Sequence, residues 1–420
     1  MLQKTLTPNK VLDVLLIPLL AFIFSLKLQE YFNINLVLIV AMLIYLVREI
    51  SLENSSYKFQ RLNALDYSLL LVVLFELLSF IFSTYPPNSF QWLMEICFLF
   101  LFYNLVRFNL KHEYQRVALY IFITLWALAL SYLGVFNLIR LQQRFSSLGY
   151  TDLTDFRNLI WFLNPVGISI GEWVTVLFVM LPFPVILFIK YRHWLWARIV
   201  TLGCVVAIVF TIAITFIRGA YIALAAYFVI GTVLFSVYKI FPLKKILLFN
   251  SVVLGLLVIC MLPLARPAIT TLSILKTTSQ ARSLEARRSI WKNSLDIVKQ
   301  HPLLGIGANN FAMQYVAYND SGSDGAFVIR PFNYFLHILI EKGIIGLVVY
   351  LLLLVSFFWV SHRKVKLLKG DVYRASVVIC FMTAYATILV RDLSESSILA
   401  NRGVTILLWF MFANNARLDE

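Results

Sequence analysis

Charge is what this sequence has least of. Of its 420 residues only 14% are Asp, Glu, Lys or Arg, 61% are apolar, and the mean hydropathy is +0.84. A water-soluble globule is about 25% charged and roughly 45–50% apolar, so an array of soluble domains is excluded and the lipid bilayer is the expected solvent. Cysteine is scarce too: Cys97, Cys204, Cys260 and Cys380 each stand alone in an apolar run, without a C-x-x-C, and read as small hydrophobes. Five histidines without H-E-x-x-H, and no acidic cluster, give no reason to expect a metal. The motifs G-x-x-x-x-G-K-[ST] and G-x-G-x-x-G are missing as well, and no cofactor is expected. Any chemistry has to come from scattered polar side chains.

What the chain does have is a succession of apolar stretches of about 20 residues, long enough to cross a hydrocarbon core about 30 Å thick as helices. The expected fold is an all-α polytopic membrane protein with twelve spans, near 11-28, 33-48, 64-83, 90-107, 117-137, 172-190, 197-217, 219-238, 246-265, 334-360, 373-390 and 403-416. Lys4 and Lys10 precede the first stretch as in a signal peptide, but Lys27-Leu28-Gln29-Glu30 follows it where small residues would mark cleavage, so it reads as a retained helix. With twelve alternating spans, the basic connections around Arg61, Arg116, Arg192, Lys244 and Lys366 fall on one side, which is then the cytoplasm and holds both termini. No repeat or linker divides the chain, so 1-420 is read as a single integral membrane domain with two long periplasmic loops, 138-171 and 266-333.

The net charge of +15 follows from this layout and calls for no nucleic-acid partner. Basic residues on the inner side lean towards lysine and those on the outer side towards arginine. Arginine is a planar fork that grips phosphate or carboxylate through paired hydrogen bonds. The outer face therefore reads either as an anion site or as arginines snorkelling to membrane lipids.

The second long loop contains one amphipathic segment, 283-302. Leu284, Trp291, Leu295 and Val298 form its apolar stripe, Glu285, Ser289, Lys292, Asn293 and Asp296 lie opposite, Ser283 is the expected cap and Pro302 the stop. Arg287 and Arg288 flank the stripe near Trp291. Arg218 stands at a tight outer turn with Gly219 beside it, either as a topological anchor or as an anion ligand. The first long loop offers Arg140, Arg144 and Arg157, leads to Glu172, and carries Tyr150, Trp161 and Trp173. Those aromatics suit a sugar site or an interface belt. Asn333, His337 and Glu341 recur every four residues, a polar stripe on one helix face that is either structural or acceptor-binding. Glu76 and Glu95, inside spans, are either bundle glue or a proton-coupled site.

T-x-x-R-G at 215-219, R-x-x-x-W and H-P-L-L-G-I-G-A-N-N-F within 287-311, and N-x-F-L-x-x-L-x-E-x-G-x-x-G at 333-346 together resemble the O-antigen ligase and polymerase family of bacterial membrane glycosyltransferases. The resemblance implies a GT-C-like helical fold in the bacterial inner membrane with its site facing the periplasm. It implies a metal-independent enzyme that moves a glycan from an undecaprenyl-pyrophosphate carrier to a saccharide acceptor or to lipid A core. It also implies that Arg218 and Arg287 hold the pyrophosphate. Ligases of the family carry His-Asn at the start of the last motif, where this chain has Phe332-Asn333, which favours a polymerase over a ligase.

The expected catalytic set is Arg218, Arg287 and His337, with Arg288, Arg157, Glu172, Trp291, Asn333 and Glu341 binding substrate. The arginines would neutralise the leaving pyrophosphate; His337, Glu172 or Glu341 would accept the proton of the acceptor hydroxyl. A competing reading of another class is a proton-coupled transporter or flippase using Glu76, Glu95 and His337, which paired broken helices and inverted repeats would favour.

Overall fold

The structure, a computed structural model, describes Leu20 and residues 62–110, 112–147, 169–215, 217–262, 279–319 and 330–417. The expected spans 11-28 and 33-48 and the candidate Arg157 lie outside the described residues.

Fourteen helices and no strand occur among the described residues. They are α1 (Ala64–Ile81), α2 (Pro86–Asn109), α3 (Glu113–Ser147), α4 (Ile170–Met180), α5 (Pro182–Lys190), α6 (Leu195–Ala213) and α7 (Arg218–Val237). Then follow α8 (Leu243–Met261), α9 (Ser279–Gln300), α10 (Phe311–Asn319), α11 (Tyr334–Leu367), α12 (Val372–Arg391), α13 (Ser397–Ala400) and α14 (Arg402–Arg417). Nine of these segments, counting α4 and α5 as one across Pro182, are long and apolar enough to cross a membrane. The chain is an all-α polytopic membrane protein. The last expected span, 403-416, is a helix of 16 residues, about 24 Å long at 1.5 Å per residue. Nearly all of it is buried, which makes it a core helix packed on α2 and α4.

Short polar residues set the helix starts, as backbone groups without partners require. Asn63 and Asp66 form a capping box on α1, with Asn63 N donating to Asp66 Oδ2 at 2.7 Å. Ser169 accepts from Glu172 N at 3.3 Å on α4, and Asn333 accepts from Leu336 N at 3.0 Å on α11. Asn401 accepts from Val404 N at 3.1 Å on α14. The α4–α5 span is central, with 89% of its apolar window buried, and α12 packs across it and against α7. α11 packs on α1, and between them Lys342 meets Glu76 at 2.6 Å while the Tyr350 hydroxyl donates to Glu76 at 2.6 Å. Glu76 is thus bundle glue: removing either charge would strand the other at 1% exposure, a cost of about 3–5 kcal/mol.

The amphipathic segment is a helix, but α9 begins at Ser279, so Ser283 lies inside it and not at its start. Its buried face is Ile290, Ser294 and Ile297, with Trp291 and Val298 at the margin, while Leu295 points out at 47% exposure. That face docks on Ile306, Phe311, Tyr315 and Ile340, so α9 is held by α10 and α11. The stripe is rotated from the expected one because the partner is another helix and its burial tolerates a small Ser294 at the seam. The first long loop also starts later than expected, since α3 stays helical through Ser147.

The feature the sequence reading missed is a break inside α11. Gly343 adopts φ 62° and ψ −169°, a conformation open in practice only to glycine. Into this break folds the segment after α9. Ile306 N donates to Ile340 O at 3.1 Å and Gly307 N to Glu341 O at 2.8 Å; from the other side Ile344 N donates to Pro302 O at 2.9 Å and Ile345 N to Leu303 O at 3.2 Å. A β-carbon on Gly343 would fall on the Leu303 backbone, one on Gly305 on the Glu341–Lys342 backbone, and one on Gly307 on the hydroxyls of Ser83 and Ser89. The H-P-L-L-G-I-G and E-x-G-x-x-G motifs are therefore two halves of one backbone joint.

Gly343→Ala is expected to destabilise the fold by more than about 2 kcal/mol, from the positive φ and the backbone overlap combined. Gly255→Ala on α8, where a β-carbon meets nothing within 4 Å, is expected to gain about 0.5–1 kcal/mol. Thermal melting of both variants in detergent checks the pair, and equal melting temperatures would discount the joint.

Candidate functional site

The helix ends that the sequence reading put on the outer side gather at one end of the bundle. α1, α6 and α12 finish there, and α2, α4, α7, α11 and α14 begin there. Their organiser is the connection 391–396 that follows α12. Arg391, 1% exposed, reaches into the start of α4, donating through Nε to Thr175 Oγ1 at 2.7 Å and through Nη2 to Gly171 O at 2.6 Å. Asp392, fully buried, accepts from Ile398 N at 2.9 Å, and its own carbonyl accepts from Tyr334 N at 2.8 Å. The Asn333 amide donates to Leu393 O at 3.1 Å. None of 391–396 was singled out from the sequence. The available signal was the Arg391-Asp392 pair at the mouth of an apolar span, where unsolvated charge is costly without a built-in partner.

Arg287 and the start of α7 approach this connection from different elements. Arg287 on α9 donates to Ser394 O at 3.1 Å and lies 3.8 Å from Glu395. Gly219, second residue of α7, comes so close to Ser394 that an added β-carbon would sit 3.3 Å from its Oγ. Gly219 is helical, so it makes room for Ser394 and does not turn the chain. Arg218 is exposed as the first residue of α7, beside backbone N–H groups that no side chain caps, an arrangement that suits an anion. Arg288 is exposed on α9. Trp291 donates through Nε1 to Pro331 O at 2.8 Å and fastens α9 to the segment before α11.

The Arg287 guanidinium lies 5.2 Å from the centroid of the Phe332 ring, a cation–π contact. Phe332 has φ 50°, a costly backbone state for a bulky residue. Asn333 is the N-cap of α11 with an extended backbone, so the expected three-residue stripe reduces to His337 and Glu341.

One turn deeper, about 6 Å along α11, lies a cavity of about 230 Å³. His337 and Glu341 line it with Glu95, Arg330 and Arg402, together with Trp92, Gln91 and Asn309. His337 Nε2 is 3.2 Å from Glu341 Oε1, and Glu341 also accepts from Phe311 N at 3.2 Å. The His337 ring meets Phe311 edge-on at 5.8 Å, and Nδ1 is buried without a hydrogen-bond partner. An Nε2–H that donates its hydrogen bond to Glu341 leaves the lone pair on Nδ1, the tautomer a general base uses. Glu172 is taken up by an ion pair with Arg330, and Glu95 by one with Arg402. Among the described residues no three His, Cys, Asp or Glu side chains gather as a metal-binding set.

The T-x-x-R-G, R-x-x-x-W and glycine-joint motifs thus meet at one place. The family described as O-antigen ligase matches 202–351. Over this stretch the chain is similar to the O-antigen ligase family. The stretch runs from α6 through α7, α9, α10 and most of α11, and so contains the arginine face, the glycine joint and His337 with Glu341. The match supports the O-antigen ligase and polymerase family for the chain, and with it a membrane glycosyltransferase role in polysaccharide assembly that uses lipid-linked glycans. No curated protein matches the chain.

Burial lifts the Asp392 carboxyl from 3.8 to about 6, partly offset by the hydrogen bond from Ile398 N and by Arg391. A raised acid stabilises the fold fully below about pH 4, and that contribution is lost as pH rises through about 6. Measured as melting temperature in detergent, wild type is expected to lose a few degrees relative to Asp392→Asn between pH 4 and 6. Parallel curves would mean that Asp392 is ionised throughout.

Proposed function

We propose that this protein transfers a glycan from an undecaprenyl-pyrophosphate carrier to the end of a saccharide acceptor during surface polysaccharide assembly. The chain acts as a single membrane domain in the bacterial inner membrane. Both termini are cytoplasmic and the site faces the periplasm, as do the long segments 138-171 and 266-333. The observation that carries this reading is the adjacency of an arginine face, centred on Arg287, and a polar cavity holding His337 against Glu341.

Pyrophosphate is a good leaving group, so the demand at the donor is to absorb negative charge as the glycosidic bond breaks. Arg218, Arg287 and Arg288 supply it, with Arg157 as a further ligand, and preorganised guanidiniums in a partly dry site need no metal for this. Arg287 is preorganised by Ser394, Glu395 and Phe332. Trp291 and Asn333 hold α9 and the 391–396 connection in place around the donor. At the acceptor, His337 takes the hydroxyl proton through Nδ1 while Glu341 stabilises the imidazolium, an effect worth about 10²–10⁴-fold. Glu172 orients Arg330 on the cavity wall. Direct displacement inverts the anomeric centre.

Polymerase is preferred to ligase because the position of the ligase histidine is Phe332, which lies under Arg287. The transporter reading draws nothing from the break in α11, since the backbone it frees is taken up by 302–307, whereas broken helices that bind ions leave such groups open.

The test is transfer in liposomes from a lipid-pyrophosphate-linked oligosaccharide. A ladder of longer lipid-linked chains is expected from wild type, reduced at least about 10²-fold in Arg287→Ala. Product only on adding lipid A core would make the protein a ligase. Unchanged turnover in Arg287→Ala, or proton or solute movement without any transfer, would sink the proposal.

A further inference from the structure

Charge is balanced differently at the two halves of this site. On the arginine face, Arg218 and Arg288 are exposed, and Arg287 has one carboxylate at 3.8 Å, so positive charge is in excess. In the cavity each guanidinium is already matched: Arg402 pairs with Glu95 and Arg330 with Glu172. The remaining charge on the wall is Glu341, held beside His337. An anion entering the cavity would have to break an ion pair or face Glu341. A neutral polyol meets no such barrier. Its hydroxyls find acceptors in Glu95 and the Asn309 carbonyl side of the wall, donors in the unused N–H groups of Arg402 and Arg330, and the Trp92 ring for an apolar face. At about 230 Å³ the space suits a single sugar ring more than an oligosaccharide.

We propose that this cavity is the subsite for the acceptor's terminal sugar, that it selects an uncharged ring over a uronic acid, and that the Glu95–Arg402 pair sets the selection. The word acceptor rests on the glycosyltransferase reading; the selectivity does not. Neither Glu95 nor Arg402 falls within the matched segment 202–351, so the preference is a property of this chain's flanking helices α2 and α14. Discrimination here works by exclusion: the carboxylate of Glu95 both satisfies Arg402 and repels an incoming carboxylate.

The test uses binding as its readout, so that it stands apart from turnover. Methyl glycosides of glucose, galactose and mannose, each paired with its uronic acid, are titrated onto the purified full chain in detergent by saturation-transfer NMR. Wild type is expected to bind at least one neutral glycoside at least about tenfold better than its uronic acid, the size of one charge-assisted contact. Glu95→Gln, which frees Arg402 without changing volume, is expected to erase or reverse that ratio. Arg402→Gln is expected to weaken the neutral glycoside and not to gain the uronic acid. Both side chains are partly exposed, at 21% and 47%, so both variants are expected to melt within a few degrees of wild type. An unchanged ratio in Glu95→Gln, or a wild type that binds uronic acids as well as or better than neutral rings, or binds neither, overturns the proposal. Loss of all transfer activity alongside an intact neutral preference and its reversal in Glu95→Gln would instead overturn the glycosyltransferase reading and leave the cavity a neutral-sugar site.

Discussion

Four backbone hydrogen bonds across the break at Gly343 hold together nearly everything of functional interest in this protein. A helix interrupted at membrane depth leaves amide and carbonyl groups that lipid cannot satisfy, so the break survives only where other protein backbone replaces the missing ladder. Here the replacement is the segment 302–307, which comes directly after α9. The demand for backbone satisfaction therefore fixes where α9 docks, and with it where Arg287 and Trp291 stand. The same joint fixes Glu341, whose carbonyl accepts from Gly307 N while its carboxylate accepts from Phe311 N at the start of α10. The residues proposed for donor and acceptor are thus referred to one origin. A substitution at Gly305, Gly307 or Gly343 acts on both at once without touching either ligand.

The connection 391–396 is the second fixed point, and it complements the first. The joint orders α9, α10 and α11 among themselves. The connection ties them to the other half of the bundle, because Arg391 is sunk into α4, Asp392 and Leu393 hold the start of α11, and Ser394 lies between Gly219 and Arg287. Burying Arg391 on Thr175 and Gly171 and Asp392 on Ile398 N makes this tie intolerant of change, as losing one partner leaves a buried polar group unsatisfied.

Much of this was legible in the sequence, and the division has physical causes. Apolar runs are a strong signal because the bilayer sets their length, so the helices appear close to their expected places. The amphipathic α9 was equally readable, although its exact face was not, since Leu295 and Ser294 exchange roles once the partner is another helix. His337 and Glu341 could be picked out as polar residues with no excuse in an apolar context, and Arg287 as one of two arginines flanking the apolar stripe of α9. The joint could not, because its signal is a pair of glycine motifs about 40 residues apart whose steric meaning appears only when one backbone lies against the other. Arg402 escaped for a related reason. At the head of a span it looks like an anchor, and only its meeting with Glu95 across the bundle gives it another meaning.

Phe332 is where these strands of argument meet. Family ligases place a histidine there, and in this chain an aromatic ring takes the position in a left-handed backbone state that costs free energy to hold. Phenylalanine cannot move a proton, but its ring can carry a cation, and Arg287 lies over it. In the proposed mechanism the position has changed from proton transfer to holding the donor arginine, and proton transfer has moved one turn down α11, to His337 in the cavity. A base at that depth reaches only a hydroxyl that has entered the cavity. The ring that fits there then determines which glycan end is extended, so acceptor choice and catalysis are coupled through a single turn of helix.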